Sequence, residues 1–263
     1  MNKKLASKIV FKNGYVKSDV KSFSNKKLKT AFQDFLKKDK SYKKNYLQKE
    51  FSYGFDGYSY LGQEDSSNQY ASDLLHSFVL SDFCDPNNFP KEFCDFYAKQ
   101  WQELQAEIRK LETQIIQQLA LPGLSEFYTE HIGHMISCNF YPKTNGFSTT
   151  AKNKTRLSEH TDVSLFTIFP FGFDRDFFYQ NSKQEWVQID ATDQVVIFPG
   201  YLLQYYTQGK IKALNHCVRL PENKNEDRFS FAYFSLPYPK HQFKIGKEVL
   251  SSERYFENYL SLF

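Results

Sequence analysis

The chain has 263 residues, 41% of them hydrophobic and 18% aromatic, with 27 Phe and 18 Tyr. No apolar run reaches the roughly 18 residues that read as a membrane span, and the basic N-terminus lacks the apolar stretch of a signal peptide. This predicts a cytoplasmic protein with no membrane partner. The net charge of +4 is unevenly spread: residues 1–50 hold 15 Lys, no Arg and 4 acidic residues, a local +11 that leaves −7 for the remaining 213.

The lysine-rich segment fits either an anionic partner or a solvated, partly helical arm. Lysine without arginine argues against nucleic acid, because two-pronged phosphate recognition favours guanidinium. Within this segment a short strand is expected at Lys8–Val16. An amphipathic helix follows, with Leu28, Phe32 and Phe35 on one side. Residues 51–90 are aromatic and turn-rich without a clear period, and are expected to form loops. From Pro90 the pattern is helical. Phe93, Tyr97, Trp101, Leu104, Ile108, Leu111, Ile115 and Leu119 recur at three- and four-residue steps, and Pro122-Gly123 ends the run.

Beyond Pro122 the pattern changes to short runs rich in β-branched and aromatic residues. They are Met135–Tyr141, Val163–Phe169, Phe177–Gln180, Trp186–Ile189, Gln194–Phe198, Lys210–Arg219 and Arg228–Ser235. Such strands after a long helix predict an α+β, mainly β fold with a jelly-roll core backed by that helix. A closing helix is expected in SSERYFENYLSLF, with Ser at its start and Glu253 in its first turn. The cysteines Cys84, Cys94, Cys138 and Cys217 form no CxxC pair and fit no zinc spacing, so they read as free, mostly buried thiols.

The chemistry concentrates in EHTDVSLFTIF. His160 and Asp162 are two residues apart on an extended segment, which turns an imidazole and a carboxylate to the same side. His216, in the alternating stretch KIKALNHCVRLP, offers a third ligand. Two histidines and one carboxylate form a facial set with three open positions, which suits Fe(II) that must hold a co-substrate and O2 together. An HxD pair alone is weak, since many unrelated proteins contain one.

Several motifs then occur in a fixed order: NFYP at Asn139–Pro142, HTD at 160–162, FPGYLLQYYTQGKIKALNH from Phe198 to His216, and RFS at Arg228–Ser230. In this order and spacing the chain resembles the isopenicillin N synthase-like branch of the Fe(II)/2-oxoglutarate-dependent dioxygenases over roughly residues 50–260. The resemblance implies a double-stranded β-helix core and one oxygenase domain over 1–263. Its N-terminal part would be 1–133, its catalytic core 134–240 and its C-terminal segment 241–263. It assigns iron to His160, Asp162 and His216, and 2-oxoglutarate to Arg228, with Ser230, Tyr141 and Asn139 beside it. A guanidinium suits the far carboxylate of that co-substrate. Cys217 departs from the branch, which usually has Arg after the distal histidine. Related halogenases carry a small residue at the carboxylate position, so Asp162 argues against halogenation.

The implied activity is hydroxylation, or another C–H oxidation, of a small molecule such as an amino acid, peptide or natural-product intermediate. Two alternatives stay open: an iron oxidase or cyclase of the isopenicillin N synthase type that needs no 2-oxoglutarate, and an inactive barrel whose basic N-terminus binds an anion. Oxygen uptake without 2-oxoglutarate would mark the first, and salt-dependent anion binding without iron uptake the second. Phe166, Phe178, Tyr205 and Phe234 are candidate pocket residues.

Overall fold

The computed structural model describes residues 11–48, 55–62, 73–143, 155–173, 175–190, 192–220 and 226–262. Of the strand expected at Lys8–Val16, residues 8–10 lie outside the described residues and 11–15 form a turn and bend around Gly14, so strand β1 begins only at Val16 and spans Val16–Lys21. Helix α1 (Lys26–Leu36) follows and buries Leu28, Ala31, Phe32 and Phe35 on one side, as the spacing predicts. A short helix, α2 (Lys40–Lys44), is capped by Asp39, whose side chain accepts from the Tyr42 N–H.

The stretch read as loop contains two strands, β2 (Gly57–Ser59) and β3 (His76–Ser81). Strand β3 has no period-2 pattern because five of its six residues are buried. A strand covered on both faces loses the alternation by which strands are recognised. The long helical stretch is present as α3 (Lys91–Phe96), a π-helical turn at Tyr97–Trp101, and α4 (Gln102–Leu119). Its apolar stripe packs on the sheet, with Phe93, Ile108 and Leu119 fully buried. A further helix, α5 (Leu124–His131), leads into β4 (Ile132–Tyr141).

The remaining elements are β5 (Thr155–His160), β6 (Phe166–Phe169), β7 (Phe177–Gln180), β8 (Trp186–Gln188), β9 (Gln194–Pro199), α6 (Tyr201–Tyr206), β10 (His216–Arg219) and β11 (Arg228–Pro237). A hairpin of β12 (Gln242–Ile245) and β13 (Glu248–Ser251) precedes α7 (Ser252–Leu260), where Ser251 accepts from the Arg254 N–H. The stretch read as a strand from Lys210 is strand only from His216; residues 201–206 before it are helical.

The strands form a seven-stranded sheet, ordered β1-β9-β6-β11-β4-β3-β2, and a four-stranded sheet, ordered β5-β10-β7-β8. All their ladders are antiparallel. The two sheets make the expected jelly roll, with helices behind the larger one. Side-chain alternation divides the core accordingly. Ile136, Cys138, Phe231 and Tyr233 pack with the helices, while Tyr141, Phe169, Phe177, Tyr179, Phe198 and Ala232 fill the space between the sheets. Among the described residues no helix is long and apolar enough to cross a membrane. The four cysteines are free, but Cys94 is exposed and Cys84 half-buried, so only Cys138 and Cys217 are buried as expected.

Candidate functional site

His160 is the last residue of β5, and its partner across the ladder is His216, the first residue of β10. The two rings therefore meet at one edge of the small sheet, with centroids 4.4 Å apart. Asp162 sits two residues further on, in the turn that crosses to β6. All three side chains are buried, and one ligand atom from each lies within 4.8 Å of the others.

Hydrogen bonds decide which atoms remain available. The Nδ1–H of His160 donates to the Ser158 carbonyl (2.8 Å), and that of His216 to the Leu214 carbonyl (3.0 Å). This assignment leaves both Nε2 lone pairs free, as metal-binding histidines require. Nε2 of His160 is 3.4 Å from Asp162 Oδ1, and Nε2 of His216 is 3.7 Å from Asp162 Oδ2. These are long for hydrogen bonds. The atoms are turned toward a common point rather than toward each other. The Phe177 ring stacks on His216 at 5.0 Å and Phe198 meets it edge-on at 5.2 Å, which fixes the imidazole plane.

The charges follow from this packing. Burial pushes the His216 imidazole down to about 4, against the opposing pull of Asp162, so it is neutral at physiological pH. Burial also opposes charge on His160 and Asp162, but Asp162 outweighs it at His160, and His216 together with His160 and the Thr167 hydroxyl outweighs it at Asp162. The imidazole is held above its ordinary value and the carboxyl below its own. Thr167 donates to Asp162 Oδ2 at 2.6 Å and orients the carboxylate.

The turn itself is held from outside. Tyr259 and Tyr255 of α7 donate their hydroxyls to the carbonyls of Thr161 and Val163, on either side of Asp162. The N–H of Tyr201 donates to the Asp162 carbonyl (2.6 Å), and that of Leu202 to the Ser164 carbonyl (3.0 Å). Gly200 makes this approach possible, because a Cβ there would collide with the Ser164 carbonyl oxygen.

Arg228, Ser230, Tyr141 and Asn139 converge on the same interior. Arg228 pairs with Tyr141, and Ser230 with Asn139, in the β11–β4 ladder. Directly opposed residues share a face, so all four project between the sheets. The Arg228 guanidinium lies 5.1 Å from the centre of the Tyr141 ring, and both residues are buried.

Of the candidate pocket residues, Phe234 packs with the interior cluster. The other three do not. Phe166 packs on the helix side, Phe178 lies outside the barrel under the Arg219 guanidinium (4.1 Å), and Tyr205 bonds Glu248 at the surface (2.6 Å). Phe177 and Tyr179, one residue to either side of Phe178, are the interior rings. Aromatic residues occupy both faces of β7, so composition does not fix which face turns inward.

Residues 132–237 match the model of the 2OG-Fe(II) oxygenase superfamily. The match covers less than half of the chain and spans β4 to β11, the strands that carry the site. Members of the superfamily are non-haem iron oxidoreductases that use Fe(II), 2-oxoglutarate and O2. Two curated fungal proteins are similar. The 2-oxoglutarate-Fe(II) type oxidoreductase ppzD of Metarhizium rileyi is 27% identical over 213 residues, covering 69% of this chain and 59% of that protein. The 2-oxoglutarate-dependent dioxygenase gloF of Glarea lozoyensis is 30% identical over 93 residues, covering 31% of this chain and 28% of that protein. The chain thus spans less than two thirds of either relative. Among solved structures, the dioxygenase for auxin oxidation in rice superposes with a TM-score of 0.73, at 14% identity, over 99% of this chain and 90% of that one. This likeness shows the shared fold. The site residues fit the superfamily's metal: two imidazole nitrogens and a carboxylate, with Nδ1 of each histidine already engaged, form an N,N,O donor set.

Proposed function

We propose that this chain is an Fe(II)/2-oxoglutarate-dependent dioxygenase of the isopenicillin N synthase-like branch, and that it oxidises a C–H bond of a small molecule. Hydroxylation is the favoured outcome. The observation that carries this reading is the convergence of the His160, Asp162 and His216 ligand atoms within 4.8 Å, with both Nδ1 atoms pinned to backbone carbonyls. These three side chains would hold the iron. When bound, iron with 2-oxoglutarate supplies the oxidising power for O2 chemistry that no side chain possesses.

The chain's own residues bind, orient and exclude water. Arg228 meets the far carboxylate of the co-substrate with a two-pronged donor. The Ser230 and Tyr141 hydroxyls, with the Asn139 amide, offer further polar contacts on the same wall. Phe177, Phe198 and Phe234 keep the interior dry, which strengthens each of those electrostatic contacts. Thr167 holds the Asp162 carboxylate in its ligating rotamer. The substrate classes proposed are amino acids, peptides and natural-product intermediates, the small molecules that the motif resemblance implies.

Succinate release from 2-oxoglutarate in the presence of Fe(II) tests the proposal. Release is expected from the wild type and lost in His160→Ala. Undiminished turnover in that variant, or turnover without 2-oxoglutarate, would overturn it.

A further inference from the structure

We infer that a window in the large sheet beside Arg228 is a basic side portal, through which a small carboxylate dianion reaches the barrel interior. This rests on the reading of Arg228 as the co-substrate's partner. Strand β11 is paired with β4 along all ten residues, from Arg228↔Tyr141 to Pro237↔Ile132. On its other side the ladder with β6 consists of Tyr233↔Ile168 and Phe234↔Thr167. Strand β6 then ends at Phe169, and the chain turns away through Phe171, Gly172 and Phe173. Between that turn and the first residues of β11 lies a cavity of about 300 Å³, within the size range of small-molecule sites.

The lining shows that this cavity is more than a groove on one face. A groove on one face of a strand collects alternate residues. This cavity collects Arg228, Phe229, Ser230 and Phe231 in succession. Phe229 and Phe231 belong to the helix-side core, while Phe173 belongs to the interior cluster. The opening therefore passes the edge of β11 from one side of the sheet to the other. Gly172 keeps the turn close, since a Cβ there would collide with the Thr192 carbonyl oxygen.

The lining carries a net positive charge. The Phe23 N–H donates to the Pro170 carbonyl (2.8 Å), which ties the start of α1 to the turn. Asn25 and Lys29 line the opening, and the Lys29 ammonium lies 5.1 Å from the centre of the Phe229 ring. Asp227 also lines it and accepts the backbone N–H of Lys143 at 2.8 Å, so Lys29, Arg228 and Asp227 together give the lining a net charge of +1. An entering dianion thus meets Lys29 first and Arg228 deeper in. Lys29 thereby places a positive charge at an opening in a chain whose residues 51–263 carry −7. Charge at a narrow mouth speeds the arrival of an oppositely charged ligand, and salt removes the advantage.

Stopped-flow binding of 2-oxoglutarate to the Fe(II)-loaded full chain without O2, read from the absorption of the metal–2-oxo acid chelate, tests the portal. Association is expected to slow about three- to tenfold in Lys29→Glu at low salt, with the difference shrinking at high salt. Asn25→Trp, which narrows the mouth without changing charge, should slow association and dissociation together and leave the dissociation constant nearly unchanged. Unchanged association rates in both variants would overturn the portal while leaving the co-substrate reading intact. Failure of the wild type to bind 2-oxoglutarate would overturn that reading, and the portal with it.

Discussion

Between the two sheets His160 and His216 face Asp162, and behind the large sheet His134 faces Glu112 and Asp82. Both clusters are buried apart from the half-buried Asp82, and both combine imidazole with carboxylate. They differ in how their polar atoms are used. Behind the sheet, His134 Nε2 bonds Glu112 Oε2 (2.9 Å), which also accepts from the Tyr128 hydroxyl (2.5 Å). Asp82 accepts from the Trp101 indole (2.9 Å), from Gln105 and from the His134 N–H (3.2 Å). These directional bonds run within the cluster. Between the sheets, the backbone takes each Nδ1–H instead and leaves the Nε2 atoms turned inward. Among the described residues only this second arrangement gathers three metal-ligating atoms. Burial, composition and unspent polar atoms do not distinguish an ion site from a structural cluster, since Glu112 Oε1 and His134 Nδ1 also lack hydrogen-bond partners; the convergence of three ligand atoms within 4.8 Å does.

Removing a carboxylate should therefore have opposite signatures in the two places. Glu112→Ala leaves His134 buried without its partner and should cost about 3–5 kcal/mol of stability. Metal affinity should be unchanged. Chemical denaturation and a metal titration on the same variant check both halves.

A second prediction concerns the rim of the structural cluster. Burial pushes the Asp56 carboxyl up to about 6, in spite of the Ser81 hydroxyl it accepts. Its folded value lies above the unfolded one of 3.8. Its contribution is therefore fully present below about pH 4 and lost as pH rises through about 6. Asp56→Asn should stabilise the protein by about 2 kcal/mol at pH 8, and this gain should vanish near pH 4. Thermal melts across that range would show it. A gain independent of pH would mean that the carboxyl is not desolvated.

Smaller effects are expected at the metal turn. Thr167→Val removes the bond to Asp162 Oδ2 and should weaken metal binding about tenfold, the usual scale for groups that orient ligands. Tyr259→Phe and Tyr255→Phe act one step further out, through the carbonyls beside Asp162, and should weaken it about two- to fivefold each. Tyr205→Phe, which loses a hydroxyl bonded to Glu248 at the surface, is the control. An equal loss in Tyr205→Phe would show that α7 and α6 stabilise the fold without positioning the turn.

These contrasts also mark what the sequence makes legible. The proposed ligand set is legible because its chemistry is local: His160 and Asp162 stand two apart, and His216 and Arg228 follow in a recognisable order. The structural cluster is not, because Glu112 and His134 lie on different elements and meet only when α4 packs behind β4. A glutamate inside the stripe between Ile108 and Ile115 was the available signal. Strand β3 was hidden by burial on both faces, and β5 by its polar composition, TRLSEH. The tyrosine contacts of α7 are invisible for another reason: SERYFENYL shows an amphipathic helix, but nothing in it says which carbonyls its hydroxyls will reach.

The most direct measurement is a titration of Fe(II), kept free of O2, into wild type, Asp162→Ala and Glu112→Ala. One ion per chain should bind to the wild type and to Glu112→Ala, and binding should be lost in Asp162→Ala while its metal-free fold is retained. Undiminished binding in a folded Asp162→Ala protein would contradict the assignment of the iron site.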